Sequence, residues 1–278
     1  MEIELKQRYP VLVGDPERYE IVLVGCGGTG SFLALHLARL AYHAREQYGR
    51  EVALTFVDPD RVEAANLGRQ NFAPAEVGAY KSWTLATRYG TAFGLRITAH
   101  TERFAGMHLP RGPFVLLVGA VDNAAARRSL HQTLVQQRRG LWWLDCGNHE
   151  HAGQVLLGNR HDLAAPALSP LGFCEGLPLP SVQHPELLEG AAAPSGGASC
   201  ADLTLRDVQG LMVNQAVATY AAQYVYRLVV THDLDVYATY VDLQSGSARS
   251  LGITDRRFQR GRHIRSLQVL ETKRACSS

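Results

Sequence analysis

Apolar positions along the chain recur at two periods. Ile21-Val22-Leu23-Val24 is an unbroken aliphatic run that stops at Gly25, the pattern of a strand buried on both faces. Leu33, Leu37, Leu40, Ala41 and Ala44 then repeat at helical spacing, and Ser31 to Ala44 holds no Gly or Pro, which predicts a helix with one apolar stripe. Val52 to Val57 predicts a second strand ending at Asp58. The opening of the chain therefore reads as a strand, helix, strand unit of a parallel sheet.

The alternation continues. Val115-Leu116-Leu117-Val118 predicts a strand, Asp122-Asn123 a break, and the stretch through about Val135 a helix; Leu141 to Leu144, ending at Asp145, and Gln154 to Leu157 predict further strands. This order argues for an α/β fold with a Rossmann-like, doubly wound, mainly parallel sheet. The segment 159–200 breaks the pattern. It carries Pro166, Pro170, Pro178, Pro180, Pro185 and Pro194 and the pair Gly196-Gly197, and predicts a structureless crossover loop, either a functional lid or a disordered stretch. A helix is expected over Thr204 to Val229. Val236 to Val241 and Ala248 to Ile253 bracket Gln244-Ser245-Gly246 as a C-terminal β-hairpin. No internal repeat is apparent, so 1–278 reads as a single domain ending in a basic tail, 255–278, with Arg256, Arg257, Arg260, Arg262 and Arg265.

Composition narrows the function classes. The 278 residues are 46% apolar, enough to bury a core. Lys and Arg number 28 against 26 Asp and Glu, too balanced for a chain whose main work is wrapping nucleic acid, so nucleic acid is not expected as a partner outside the arginine tail, which itself reads first as a solvated face. The longest nearly apolar run, Val115 to Val121, is too short to span a bilayer, and Met1-Glu2-Ile3-Glu4 lacks a basic-then-apolar leader pattern, so a cytoplasmic protein away from membranes is expected. Cys26, Cys146, Cys174, Cys200 and Cys276 are dispersed and form no C-x-x-C pair, which points to reduced thiols and to no structural zinc.

Candidate chemistry begins at the first strand end. Gly25-Cys26-Gly27-Gly28-Thr29-Gly30-Ser31 stands between a strand and a helix, where backbone amides approach phosphate oxygens and the helix N-terminus adds partial positive charge. Asp58, closing the second strand, can accept hydrogen bonds from ribose hydroxyls. A hydride cofactor needs no further cations, whereas displacement at phosphate does, and Asn66-Leu67-Gly68-Arg69-Gln70 with Lys81 provide them. Arg69 can fork onto phosphate, Lys81 offers a compact charge, and Asp122 is placed to hold a hard divalent ion, although an Asp there is also a common helix cap. His149 and His151 find no third ligand and read as structural or exposed.

These motifs, with Asp58-Pro-Asp60-Arg-Val62-Glu63, Val77-Gly78-Ala-Tyr-Lys81-Ser82 and Ala120-Val-Asp122-Asn123-Ala-Ala-Ala126-Arg127, resemble the ThiF/MoeB/HesA family, the bacterial branch of the ubiquitin-activating-enzyme superfamily. Asp145-Cys146-Gly147-Asn148 through Gly153-Gln154-Val155 also looks like the ThiF-related proteins of PRTRC plasmid-type cassettes. The resemblance implies that ATP and magnesium adenylate the C-terminal carboxylate of a small ubiquitin-like partner, within a homodimer. By motif position, Gly25, Gly27, Gly28 and Gly30 hold phosphates, and Asp58 holds ribose. Asn66, Arg69, Gln70 and Lys81 surround the triphosphate, while Asp122, beside Asn123, takes magnesium. The resemblance further implies an N-terminal arginine reaching the neighbouring subunit, for which Arg8 is the nearest candidate. Cys200 stands about where relatives place an acceptor cysteine, and is either that thiol or a small buried apolar residue. Relatives often carry an Asp where this chain has Gly119. Two other readings stand beside this one: an NAD-dependent oxidoreductase, and a non-catalytic nucleotide-binding adaptor in plasmid maintenance.

Overall fold

The computed structural model describes residues 7–104, 109, 114–136, 140–189 and 211–254. Strand β1 (Arg18–Val24) leads through the glycine loop into helix α1 (Gly28–Tyr48), which begins three residues earlier than the apolar stripe predicts. The first turn closes because the Ser31 amide bonds to the Gly27 carbonyl at 3.0 Å and the Ser31 hydroxyl to the Gly28 carbonyl at 3.0 Å. β2 (Glu51–Val57) follows, then a 3-10 turn at Ala64–Asn66. Helix α2 (Lys81–Phe93) and strand β3 (Ile97–His100) have no counterpart in the expected elements. β3 is short and only half-buried, so its side chains show no long apolar run.

β4 (Val115–Gly119), α3 (Ala124–Gln136), β5 (Leu141–Asn148) and β6 (Ala152–Gly158) come next. β5 runs past Asp145, where the sequence pattern ends it, because Asp145 and Gly147 continue the ladder against Leu156 and Gln154. The tight turn to β6 makes that pair antiparallel. Two short strands, β7 (Ala167–Leu168) and β8 (Cys174–Gly176), form a separate small sheet, followed by the single turn α4 (Pro180–Gln183) and a 3-10 turn at Pro185–Leu188. The helix expected from Thr204 is described as α5 (Leu211–Tyr226), and it relaxes into a π-helical turn over Arg227–Thr231. β9 (Val236–Asp242) and β10 (Ser247–Gly252) form the expected hairpin.

The main sheet runs β10-β9-β6-β5-β4-β1-β2-β3. From β5 to β3 all pairings are parallel; β6, β9 and β10 add antiparallel strands at the other side. Helices cover both faces. One core gathers Leu33, Leu37 and Ala41 of α1, Leu85 of α2 and Val217 and Ala221 of α5; the other gathers Leu130 and Leu134 of α3 with Val22, Leu117 and Trp143. Because β1 and β4 are neighbours whose following helices lie on opposite faces, a crevice opens at their C-terminal ends.

The expectation of a structureless loop fails for 159–189. Gln183 Nε2 donates to the carbonyls of Leu157 and Pro178, both at 2.8 Å, His184 Nε2 and the Tyr240 hydroxyl stand 2.8 Å or closer (2.7 Å), and Arg128 donates to the Leu188 carbonyl at 2.6 Å. The prolines suit short turns packed on the sheet, where their missing amide donors cost nothing. The rest of the expected loop, 190–200, and the arginine tail lie outside the described residues.

Leu37 is fully buried between sheet and helices. Leu37→Ala should therefore destabilise the chain by about 2–5 kcal/mol, read as a lowered midpoint in urea denaturation.

Candidate functional site

The glycine loop is held by close backbone approach. Gly25 has φ +90°, and a Cβ there would stand 2.5 Å from the Ala120 carbonyl oxygen, so the loop lies against the end of β4 with no room for a side chain. The Gly25 amide bonds to the Val57 carbonyl at 2.9 Å and the Ala120 amide to the Val24 carbonyl at 2.8 Å, tying β1, β2 and β4 together at the crevice. The opening amides of α1 point beyond the helix and have no intrahelical acceptor, the usual setting for an anion.

Asp58 is buried at the end of β2. Its Oδ2 accepts the Cys26 amide at 2.6 Å and its Oδ1 accepts the Asp60 amide at 2.8 Å. Burial pushes its carboxyl above the usual range, while those two amides and Lys81 pull it back. Asp58 thus shapes the loop as well as facing the crevice, a function that spacing alone does not reveal; each oxygen keeps a second lone pair for a ribose hydroxyl. Lys81 opens α2, almost fully buried, with its ammonium 3.4 Å from Asp60 Oδ2.

Asn66 and Gln70 are also buried. Asn66 Oδ1 accepts the Glu63 amide at 3.1 Å and its carbonyl accepts the Arg69 and Gln70 amides, so the 3-10 turn sets where both side chains start. Gln70 Nε2 lies 3.7 Å from the position a Gly27 Cβ would take, and Gln70 Oε1 is buried and accepts no hydrogen bond among the described residues. A buried amide oxygen without a donor, set beside a glycine loop, fits a site completed by a polar ligand.

Asp122 and Asn123 follow β4 and are exposed. Asn123, not Asp122, caps α3: its Oδ1 accepts the Ala126 amide at 2.8 Å, while its Nδ2 donates to Asp122 Oδ1 at 3.2 Å. Asp122 is left as a hard oxygen donor at the crevice. No group of three or more His, Cys, Asp or Glu side chains clusters to hold a metal among the described residues, so an ion at Asp122 would take its remaining ligands from phosphates and water. A side chain has no space at position 119, where a Cβ would meet Leu130 Cδ1 at 2.7 Å and Trp143 Nε1 at 3.0 Å. The neighbouring strand instead carries Asp145, fully buried, in register with Gly119 and paired with Arg127 at 3.0 Å; burial raises its carboxyl and Arg127 lowers it.

The fold thus sets Asp58, Asn66, Gln70 and Lys81 close to Gly25, Gly27, Gly28 and Gly30, holds the Arg69 peptide beside α1 through Asn214, and leaves Asp122 and Asn123 exposed after β4. Cys200 lies outside the described residues. Arg8 stands elsewhere, pairing with Asp235 of its own chain at 3.5 Å and covering Gly252 at the β9–β10 end. His149 and His151 sit in the β5–β6 turn and are exposed. Sequence reasoning quoted Thr29, Asp60 and Asn148 within motifs without giving them a role and missed Asn214, which meets the site only through tertiary contacts.

A model of the ThiF family matches residues 15–259. No curated protein matches the sequence. Among solved structures, Escherichia coli MccB with ATP has a TM-score of 0.57 at 14% identity, covering 84% of this chain and 64% of that one. MccB with AMPCPP and MccA gives 0.55 at 14%, covering 84% and 64%, and PaaA gives 0.51 at 15%, covering 86% and 65%. These likenesses establish a shared fold, and the chain spans just under two thirds of each of those structures. No helix among the described residues is long and apolar enough to cross a membrane.

Cys26, Cys146 and Cys174 are buried. Burial pushes the Cys26 and Cys146 thiols well up and that of Cys174 to about 11. At pH 8 all three stay protonated, so iodoacetamide should label them in the native chain far more slowly than in denaturant, read by peptide mass mapping.

Proposed function

Because the chain belongs to the ThiF family, whose model spans most of it, we propose that it uses ATP to adenylate the C-terminal carboxylate of a small protein or peptide. In this reaction a carboxylate oxygen bonds to the α-phosphorus as the α–β phosphoanhydride bond breaks, giving an acyl-adenylate and pyrophosphate. The observation that carries the reading is the buried Gln70 oxygen left without a donor beside a glycine loop that is tied to the Asp58 carboxylate and lies close to the Lys81 ammonium. A hydride-transfer cofactor leaves that combination without use. Similar folds support it: MccB has been solved with a nucleotide and a second molecule, MccA, together.

In the proposed site Asp58 receives the ribose, the amides of the loop receive phosphate oxygens, and Arg69 and Lys81 offset the negative charge that grows on the leaving pyrophosphate. Asp122 would hold magnesium, which draws charge from the phosphate oxygens when bound. Asp60 keeps the Lys81 ammonium at the crevice in the absence of phosphate. The finer proposal makes the partner ubiquitin-like, the working form a homodimer of single adenylation units, and Cys200 the acceptor in any later covalent transfer. Among the described cysteines none is exposed enough to act as that acceptor.

ATP–pyrophosphate exchange with a candidate partner tests the reading. Lys81→Ala and Asp122→Ala should each lower exchange by about 10²–10³-fold, because both act on charge that peaks during displacement, and the exposed Asp122→Ala variant should keep its melting temperature. ATP binding without exchange would instead indicate a nucleotide-binding adaptor, and binding of NAD in preference to ATP an oxidoreductase. Magnesium removal by EDTA should abolish exchange and its return should restore it.

A further inference from the structure

Helix α5 is apolar along most of its buried length, yet Asn214 sits in its first turn with no solvent exposure. Its Oδ1 accepts from the Thr29 hydroxyl at 3.2 Å and from Asn148 Nδ2, and its Nδ2 donates to the Arg69 carbonyl at 3.3 Å. Asn148 Nδ2 also bonds to the Thr29 hydroxyl at 3.0 Å. The carboxamide fills the space that a side chain on Gly28 would need: a Cβ there would stand 2.7 Å from Asn214 Oδ1. One buried amide therefore touches the first turn of α1, the end of β5 and the peptide that carries Arg69.

A leucine would fill this space without desolvation cost, whereas a buried amide is tolerated only when its donors and acceptors are matched. Among the described residues the side-chain partners of Asn214 are Thr29 of the loop, the Arg69 carbonyl and Asn148 at the end of β5. Resting on the nucleotide reading above, we infer that Asn214 is a positioning residue that fixes the Arg69 backbone relative to the glycine loop, so that the guanidinium and the loop amides address one triphosphate together. The bond to the Arg69 carbonyl sets where that long side chain begins, and the bond to Thr29 sets the opening turn of α1.

Titration calorimetry with ATP and magnesium on the purified chain tests this. Asn214→Ala should raise the dissociation constant for ATP about tenfold or more, while Asn214→Ser, which keeps a hydroxyl donor and acceptor, should retain most of the affinity. In an Arg69→Ala background Asn214→Ala should add less than about twofold, because its effect runs through Arg69. Without nucleotide, hydrogen exchange at residues 67–72 should quicken in Asn214→Ala while that of β9 and β10 stays as in the wild type. If Asn214→Ala does not fold, the same comparisons are read from Asn214→Ser, with an affinity between the wild type and Arg69→Ala expected. Wild-type affinity in Asn214→Ala, or in Asn214→Ser where the alanine variant does not fold, or full additivity with Arg69→Ala, would overturn this inference and leave the nucleotide reading standing; failure of the wild-type chain to bind ATP would overturn both.

Discussion

The bond from the Cys26 amide to the Asp58 carboxylate, 2.6 Å long and out of water, is the interaction on which the crevice depends. It draws the loop after β1 towards the end of β2, and Gly25 then lies flat on Ala120 at the end of β4. Three parallel strands are thereby finished at one point. The carboxylate must be buried to do this, and burial raises its proton affinity; two backbone amides and the Lys81 charge offset that cost. The same carboxylate thus places the loop and brings the lysine close.

Around that point backbone geometry fixes where the cationic residues leave the chain. The 3-10 turn at Ala64–Asn66 fixes where Arg69 and Gln70 leave the chain, through the Asn66 carbonyl, and the Lys81 amide bonds to the Asp60 carbonyl at 2.9 Å. Ion pairs on the outer surface, such as Arg160 with Asp162, contribute little to stability in comparison, because water screens them.

The two halves of the sheet divide the work. The parallel half ends at the crevice, as open α/β sheets do where strand order reverses. The antiparallel half, β6, β9 and β10, serves as a platform for the proline-rich segment, which docks through Gln183 and His184. Helix α5 bridges the halves, packing beside α1 on one face while Asn214 reaches the loop.

Local pattern was enough for the parallel core, because β1, β2, β4 and β5 are buried on both faces and their aliphatic runs stand out from their neighbours. It was enough also for the place of the glycine loop between a strand and a helix, and for Asp58 at the end of β2. It was not enough for β3, which is short and half-exposed, nor for the order within 159–189, where prolines signal a lack of regular structure but say nothing about docking. Asn123 rather than Asp122 became the helix cap, a choice made by side-chain geometry between two adjacent candidates. Asn214 lies far along the chain from the loop it contacts, and an asparagine in an apolar helix carries no mark of its partner. Periodicity and residue chemistry act between near neighbours and are written in order along the chain, whereas the meeting of Thr29, Arg69, Asn148 and Asn214 exists only once packing has brought four distant segments within hydrogen-bond reach.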